Sequence, residues 1–175
     1  MNKVNATNMK TLLLLRHAKS DWNGNSGSDH SRSISARGRD DATRLGVWVQ
    51  DNNLVPQQII SSDAFRTQQT VECITESWQE SADIQFTDIL YLASEGAILE
   101  LIQSVPESVM SIMLVAHNPG MDAIVEDLAQ TAPPLTNDGK LMATCNMAVF
   151  NVACEWAGVR KRSLELVDIV RPASL

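Results

Sequence analysis

Three cysteines, Cys73, Cys145 and Cys154, are too few and too odd in number for a disulfide framework, and no CxxC or CxH spacing suggests a zinc site. Reduced thiols in a reducing, cytoplasmic compartment are expected, with buried packing as their ordinary use. No apolar run approaches the roughly 20 residues of a membrane span. The polar opening MNKVNATNMK lacks the apolar stretch of a secretory signal and reads as a short disordered lead over residues 1–10. Positive charge is scarce: 14 Lys and Arg against 21 Asp and Glu give a net charge of −7. That balance argues against nucleic acid held by general electrostatics, and neither nucleic acid nor a membrane is an expected partner. There is no GxxxxGK phosphate loop, no HxH or HExxH metal spacing, no internal repeat, no low-complexity tract and no linker. What is left is one soluble domain over residues 11–175, long enough for a sizeable core.

The apolar pattern supplies its elements. TLLLL, from Thr11, reads as a strand buried on both faces, as in a parallel sheet covered by helices. A polar, Gly/Ser-rich loop follows. Ser35 then caps a helix whose inner face carries Ala42, Leu45, Gly46 and Val49 and which dies out at Asp51–Asn53. QQIIS is a short strand, and a helix from about Asp63 places Thr67, Val71, Ile74 and Trp78 inward. IQFT is a third strand. Ile98, Leu101, Ile102 and Val105 mark another helix, SIMLVA another buried strand, and Met121, Ile124, Val125 and Leu128 a fourth helix. Two β-rich runs, around Met147–Val152 and Leu164–Val170, close the chain, joined by a hairpin connection with Gly158 at its turn. Alternation of this kind predicts an α/β fold, a three-layer α/β/α sandwich with a mostly parallel central sheet.

In open α/β sheets ligands bind beyond the carboxyl ends of the strands. Three stretches put polar residues there: RHAKSDWN after the first strand, SSDAFRTQQT around the second, and VAHNPG after the later apolar strand. Arg16, His17, Arg66 and His117 can therefore meet although they are far apart in sequence. Two guanidiniums suit the oxygens of a phosphoryl group, and a helix start near Arg66 adds N–H groups. A neutral imidazole is a nucleophile toward phosphorus, while a second, charged one stabilises the transferring oxygens.

These three blocks, in this order, resemble the histidine phosphatase superfamily, the phosphoglycerate mutase-like proteins. RHAKSDW, the RG at Arg37–Gly38 and LVAHNPGM are most similar to its SixA-type phosphohistidine phosphatases. The resemblance runs from about Thr11 to the closing VRPAS. It implies a phosphoglycerate mutase-like fold and a phosphatase needing no metal or other cofactor. It further implies that His17 is the nucleophile, that Arg16 and Arg66 clamp the phosphate, and that His117 is the second pocket histidine. Asn23 matches an asparagine that binds substrate phosphate. Within FTDILYLASEG, Asp88 is the best positional match to the general acid of ester-cleaving relatives, with Glu95 second. An imidazole leaving group needs less protonation than an alkoxide, so a weak acid signal fits a phosphohistidine substrate. Where the branch has Arg-Pro-Leu this chain has Arg32, Ser33 and Ile34, which is expected to loosen the loop. His30 lies in the same polar loop and is not expected to bind metal. The implied substrate is a phosphorylated protein bearing phosphohistidine. The alternatives are a small phosphorylated metabolite, or a phospho-binding module without turnover.

Overall fold

Leu12, Leu13, Leu14 and Leu15 have no exposed surface at all, so the strand that carries them must be covered on both faces. The computed structural model describes residues 9–22 and 27–175. In it, strand β1 (Lys10–Arg16) lies inside a six-stranded sheet. The strand takes in Lys10, which the sequence placed in the polar lead; its ammonium pairs with Glu107 at 2.6 Å. The other elements are α1 (Ala36–Asp51), β2 (Gln58–Ser62), α2 (Phe65–Thr75), β3 (Asp83–Thr87), α3 (Glu95–Gln103), β4 (Ser111–Ala116), α4 (Gly120–Leu128), β5 (Met147–Val152) and β6 (Glu165–Val170).

The strand order is β3-β2-β4-β1-β5-β6. The pairs β3–β2, β2–β4 and β4–β1 are parallel, whereas β1–β5 and β5–β6 are antiparallel. Alternation along β1 and β4 sends Leu12, Leu14, Ile112 and Leu114 to a core shared with α3 and α4. Leu13, Leu15, Met113 and Val115 face a second core beneath α1 and α2. The result is the three-layer α/β/α sandwich that the alternating pattern predicts. Among the described residues no helix is long and apolar enough to cross a membrane.

Local chemistry sets the helix boundaries. The Ser35 side chain accepts from the Gly38 N–H, which caps α1 as expected. Helix α2 begins at Phe65 rather than Asp63 and stops before Trp78, whose indole N–H instead donates to the Gly46 carbonyl at 3.0 Å. Its place in the apolar spacing reflects packing against α1, not continuation of the helix. The β5–β6 connection also departs from a tight hairpin. Trp156–Gly158 form a short 3-10 turn, and Trp156 is fully buried with its indole N–H on the Val109 carbonyl at 2.8 Å. Left-handed backbone falls at Arg162 (φ 55°) and not at Gly158. Its N–H donates to the Asp127 carbonyl at 2.7 Å, a long-range contact that can hold such a conformation.

Helices α1 and α2 approach so closely at Gly46 that a Cβ there would lie 2.2 Å from the Ile74 carbonyl oxygen. Backbone cannot swing aside as a side chain can. Gly46→Ala is expected to lose about 1–3 kcal/mol of stability, measured by urea unfolding. Wild-type stability in that variant would contradict the close approach.

Candidate active site

Parallel register brings the site together. Arg16 on β1 pairs with Ala116 on β4, so His17 and His117, the next residue on each, emerge side by side at the carboxyl edge. Their rings lie 5.0 Å apart between centroids. The backbone at this edge is held from several directions. The His17 N–H donates to the Ala116 carbonyl at 3.1 Å, and the Cys145 N–H reaches both the Arg16 and His17 carbonyls. The Ala18 N–H donates to Thr70 Oγ1 at 3.0 Å, and the Ser35 N–H donates to the Lys19 carbonyl at 2.8 Å. Gly38 lets α1 press against that carbonyl, where a Cβ would sit 2.3 Å away. This close approach gives the Arg37–Gly38 pair its physical reason.

His17 is 7% exposed. Its Nδ1 lies 2.7 Å from the Ala18 carbonyl, which only accepts, so Nδ1 carries the proton and Nε2 keeps its lone pair. Burial pushes the imidazole down to about 4; the Ala18 carbonyl opposes this, and Arg66, Arg16 and Arg32 reinforce it. At neutral pH the ring is an uncharged nucleophile.

His117, 1% exposed, differs from the charged role expected of it. Arg66 Nη2 donates to its Nδ1 at 3.1 Å, and a guanidinium has no acceptor, so the proton sits on Nε2 and is donated to Ser62 Oγ at 2.9 Å. Burial, then the neighbouring His17 and Arg66, lower it to about 3, with Asp29 opposing. His117 is thus neutral, with Nδ1 accepting from Arg66 and Nε2 anchored on Ser62.

Arg66 is 2% exposed at the start of α2. Its Nη1 donates to the Asp29 carbonyl at 2.6 Å and its Nη2 to Asp29 Oδ2 at 3.0 Å. The first N–H of that helix is not open to a ligand, because Phe65 donates to the His30 carbonyl at 3.0 Å. Arg16 Nη1 donates to the Met142 carbonyl at 2.8 Å. Arg32, expected in a loosened loop, is instead pinned. Its Nη2 meets Asp29 Oδ1 at 3.0 Å, and its guanidinium stacks 3.8 Å from the Trp22 ring centroid. Next to it, the Ser33 carbonyl accepts from Asp21 and the Ile34 N–H donates to Gln69 Oε1, both at 2.9 Å.

These side chains line a pocket of about 450 Å³ together with Lys19, Asp29 and Thr144. The Nε–H groups of Arg16, Arg32 and Arg66 are buried and have no hydrogen-bond partner among the described residues. Three guanidiniums lining one cavity concentrate positive charge suited to an oxyanion.

Of the residues proposed from sequence, Arg16, His17, Arg66 and His117 share this pocket. Asn23 lies outside the described residues. Asp88 opens an exposed 3-10 turn and Glu95 the first turn of α3; neither lines the pocket. Tyr91, from the same stretch, is the residue that reaches inward: its ring packs edge-on to His117 and its hydroxyl donates to Asp29 Oδ2 at 2.9 Å. His30 pairs with Asp63 at 2.8 Å. Among the described residues no cluster of His, Cys, Asp and Glu could hold a metal ion. Asp29, Arg32, Ser62 and Tyr91 were missed as site residues. Only the charged cluster Asp29-His30-Arg32 could have drawn attention, because loop placement has no periodicity to read.

A model of the histidine phosphatase superfamily (branch 1) matches residues 12–91. An uncharacterised protein of Mycobacterium leprae (strain TN) is 30% identical over 161 residues, covering 87% of this chain and 96% of that protein. A Nakamurella multipartitia structure assigned as the phosphohistidine phosphatase SixA superposes with a TM-score of 0.77 at 26% identity, covering 94% of this chain and 96% of the other. One from Agrobacterium tumefaciens with the same assignment gives 0.76 at 28% identity, covering 93% and 98%.

Both depressed histidines make acid destabilising. Unfolded imidazoles bind protons near 6.5, whereas these rings in the fold do so only near 4 and 3. Their neutral forms support the fold fully above about 6.5, and that support is lost as pH falls from there toward 4 and 3. Each contributes a slope approaching about 1.4 kcal/mol per pH unit. NMR titration of the imidazole protons should find both rings neutral at pH 5.5. A ring titrating near 6.5 would contradict the assignment.

Proposed function

The chain belongs to the histidine phosphatase superfamily, and from that premise we propose that it removes the phosphoryl group from phosphohistidine on a protein, by way of a covalent phosphohistidine at His17. The observation that carries this reading is that His17, with its proton on Nδ1 and its Nε2 lone pair free of it, lines one pocket with the guanidinium side chains of Arg16, Arg32 and Arg66.

The chemistry is a double displacement. The Nε2 lone pair forms a bond to phosphorus as the substrate's P–N bond breaks, its electron pair leaving with the substrate imidazole. Water then attacks phosphorus, the P–Nε2 bond breaks, and the lone pair returns to His17 as orthophosphate departs. One proton of the water stays on orthophosphate and the other goes to solvent. Arg16, Arg32 and Arg66 neutralise charge that gathers on the equatorial oxygens. His117, held neutral, orients Arg66 for that task. No step calls on a metal, and the cations are the protein's own.

Two features favour phosphohistidine over an ester. The name borne by the Nakamurella and Agrobacterium neighbours is one. The other is the position of Asp88 and Glu95 outside the pocket, which leaves the usual stretch without an acid to protonate an alkoxide.

Phosphate release from a phosphohistidine-bearing protein and from an aryl phosphate, with EDTA present, tests the proposal. Wild type should turn over the P–N substrate, and His17→Ala should lose about a thousandfold or more. Acid-labile phosphate should be trapped on wild type alone. Turnover restricted to the ester would favour a metabolite phosphatase. Tungstate binding without any turnover would favour a phospho-binding module.

A further inference from the structure

The loop before α1 brings one carboxylate into a pocket otherwise rich in cations. Asp29 accepts from Arg66 Nη2 (3.0 Å) and the Tyr91 hydroxyl (2.9 Å) at Oδ2, and pairs with Arg32 at Oδ1 (3.0 Å). Its side chain is 49% exposed where that of Arg66 is 2%, so it is the solvent-facing member of the pair on the lining of the pocket. A carboxylate beside an incoming anion weakens binding by Coulomb repulsion. A site built only to hold phosphate would do better with an amide there.

We propose that Asp29 is a specificity-determining residue that faces the leaving group and favours its protonated, cationic form, so that the pocket selects a phosphorylated imidazolium over a phosphate ester. The inference rests on the phosphatase reading above and adds to it the group that makes a general acid dispensable. In an N-phosphorylated imidazole the ring nitrogen not bonded to phosphorus can hold a proton. When His17 attacks and the P–N bond breaks, its electron pair stays as a lone pair on the nitrogen that leaves phosphorus, and the cation becomes neutral imidazole. The proton stays where it was, and none crosses from the protein. A carboxylate facing the ring keeps that proton bound at neutral pH. An ester has no such cation: its oxygen departs bearing negative charge, toward Asp29.

A carboxylate offers about four acceptor positions, and Arg66, Arg32 and Tyr91 engage three, leaving one for a substrate N–H. The groups facing it are Arg66 from α2, Arg32 from its own loop, Tyr91 from the segment after β3 and His117 from the end of β4, with the His30–Asp63 pair alongside. Burial works to raise the Asp29 carboxyl, but the Tyr91 hydroxyl, Arg66 and Arg32 outweigh it and hold it below its ordinary value. It therefore stays charged through the neutral range.

The test is Asp29→Asn, which keeps shape and removes charge at a half-exposed position, with thermal melting to verify folding. Three quantities are read: the pH profile of kcat/KM on a phosphohistidine peptide, kcat/KM on an aryl phosphate, and tungstate affinity. The wild-type profile on the peptide should decline on the alkaline side with a midpoint about one pH unit above that of the variant, equivalent to roughly tenfold slower turnover by the variant at that limb. On the aryl ester the variant should be several-fold faster, and it should bind tungstate more tightly. Equal losses on both substrates, or loss of tungstate binding, would show that Asp29 merely orients the guanidiniums and would overturn the inference alone. Failure of wild type to turn over either substrate would overturn the phosphatase reading, and this inference with it.

Discussion

Like charges gathered in a half-buried space repel one another, and the carboxyl edge of this sheet is arranged around that repulsion. Arg16, Arg32 and Arg66 line one pocket with Lys19. Asp29 binds two of the guanidiniums, and Asp122 acts on Arg16, whose affinity for its proton is otherwise lowered by burial. The histidines respond in the only way open to them, by remaining neutral. One constraint thus yields both a concentrated positive field for an anion and an uncharged imidazole able to attack it.

The sheet holds that arrangement in place. The backbone from Arg16 to Lys19 is held by hydrogen bonds with the Cys145 and Ser35 N–H groups, the Ala116 carbonyl and the Thr70 hydroxyl, contributed by four different parts of the chain. The Met142 carbonyl takes both Arg16 Nη1 and Asn118 Nδ2, while the Met142 N–H donates to Asp122. This ties the segment before β5 to the end of β4. None of these contacts touches the lone pair on Nε2, yet each limits where it can point.

Much of this was legible in the sequence, for identifiable reasons. Buried strands announce themselves through runs such as Leu12–Leu15 and Ile112–Val115, and helices through apolar spacing. A chemical group at a strand end, as with His17 and His117, is placed by the fold itself. The rest depended on contacts that no local pattern encodes. Asp29 and Tyr91 are 62 residues apart and meet only because two loops fold over the same edge. Asp88 was favoured by position within a motif, but the chain turns at Asp88–Leu90 and delivers Tyr91 inward. The substitution of Pro by Ser33 suggested a looser loop because local stiffness was the only visible term. The bonds from Asp21 and Gln69 supply the stiffness instead.

The leucine strand has a consequence beyond placing Arg16 and His17. Leu12 and Leu14 belong to the core under α3 and α4, Leu13 and Leu15 to the core under α1 and α2. A single strand is therefore a party wall between two oily compartments. Stripping either helical layer would wet half of its leucines while the other half still held fast. Neither layer can melt by itself without exposing the wall that the other needs, so the two halves are bound into one cooperative unit whose failure is shared.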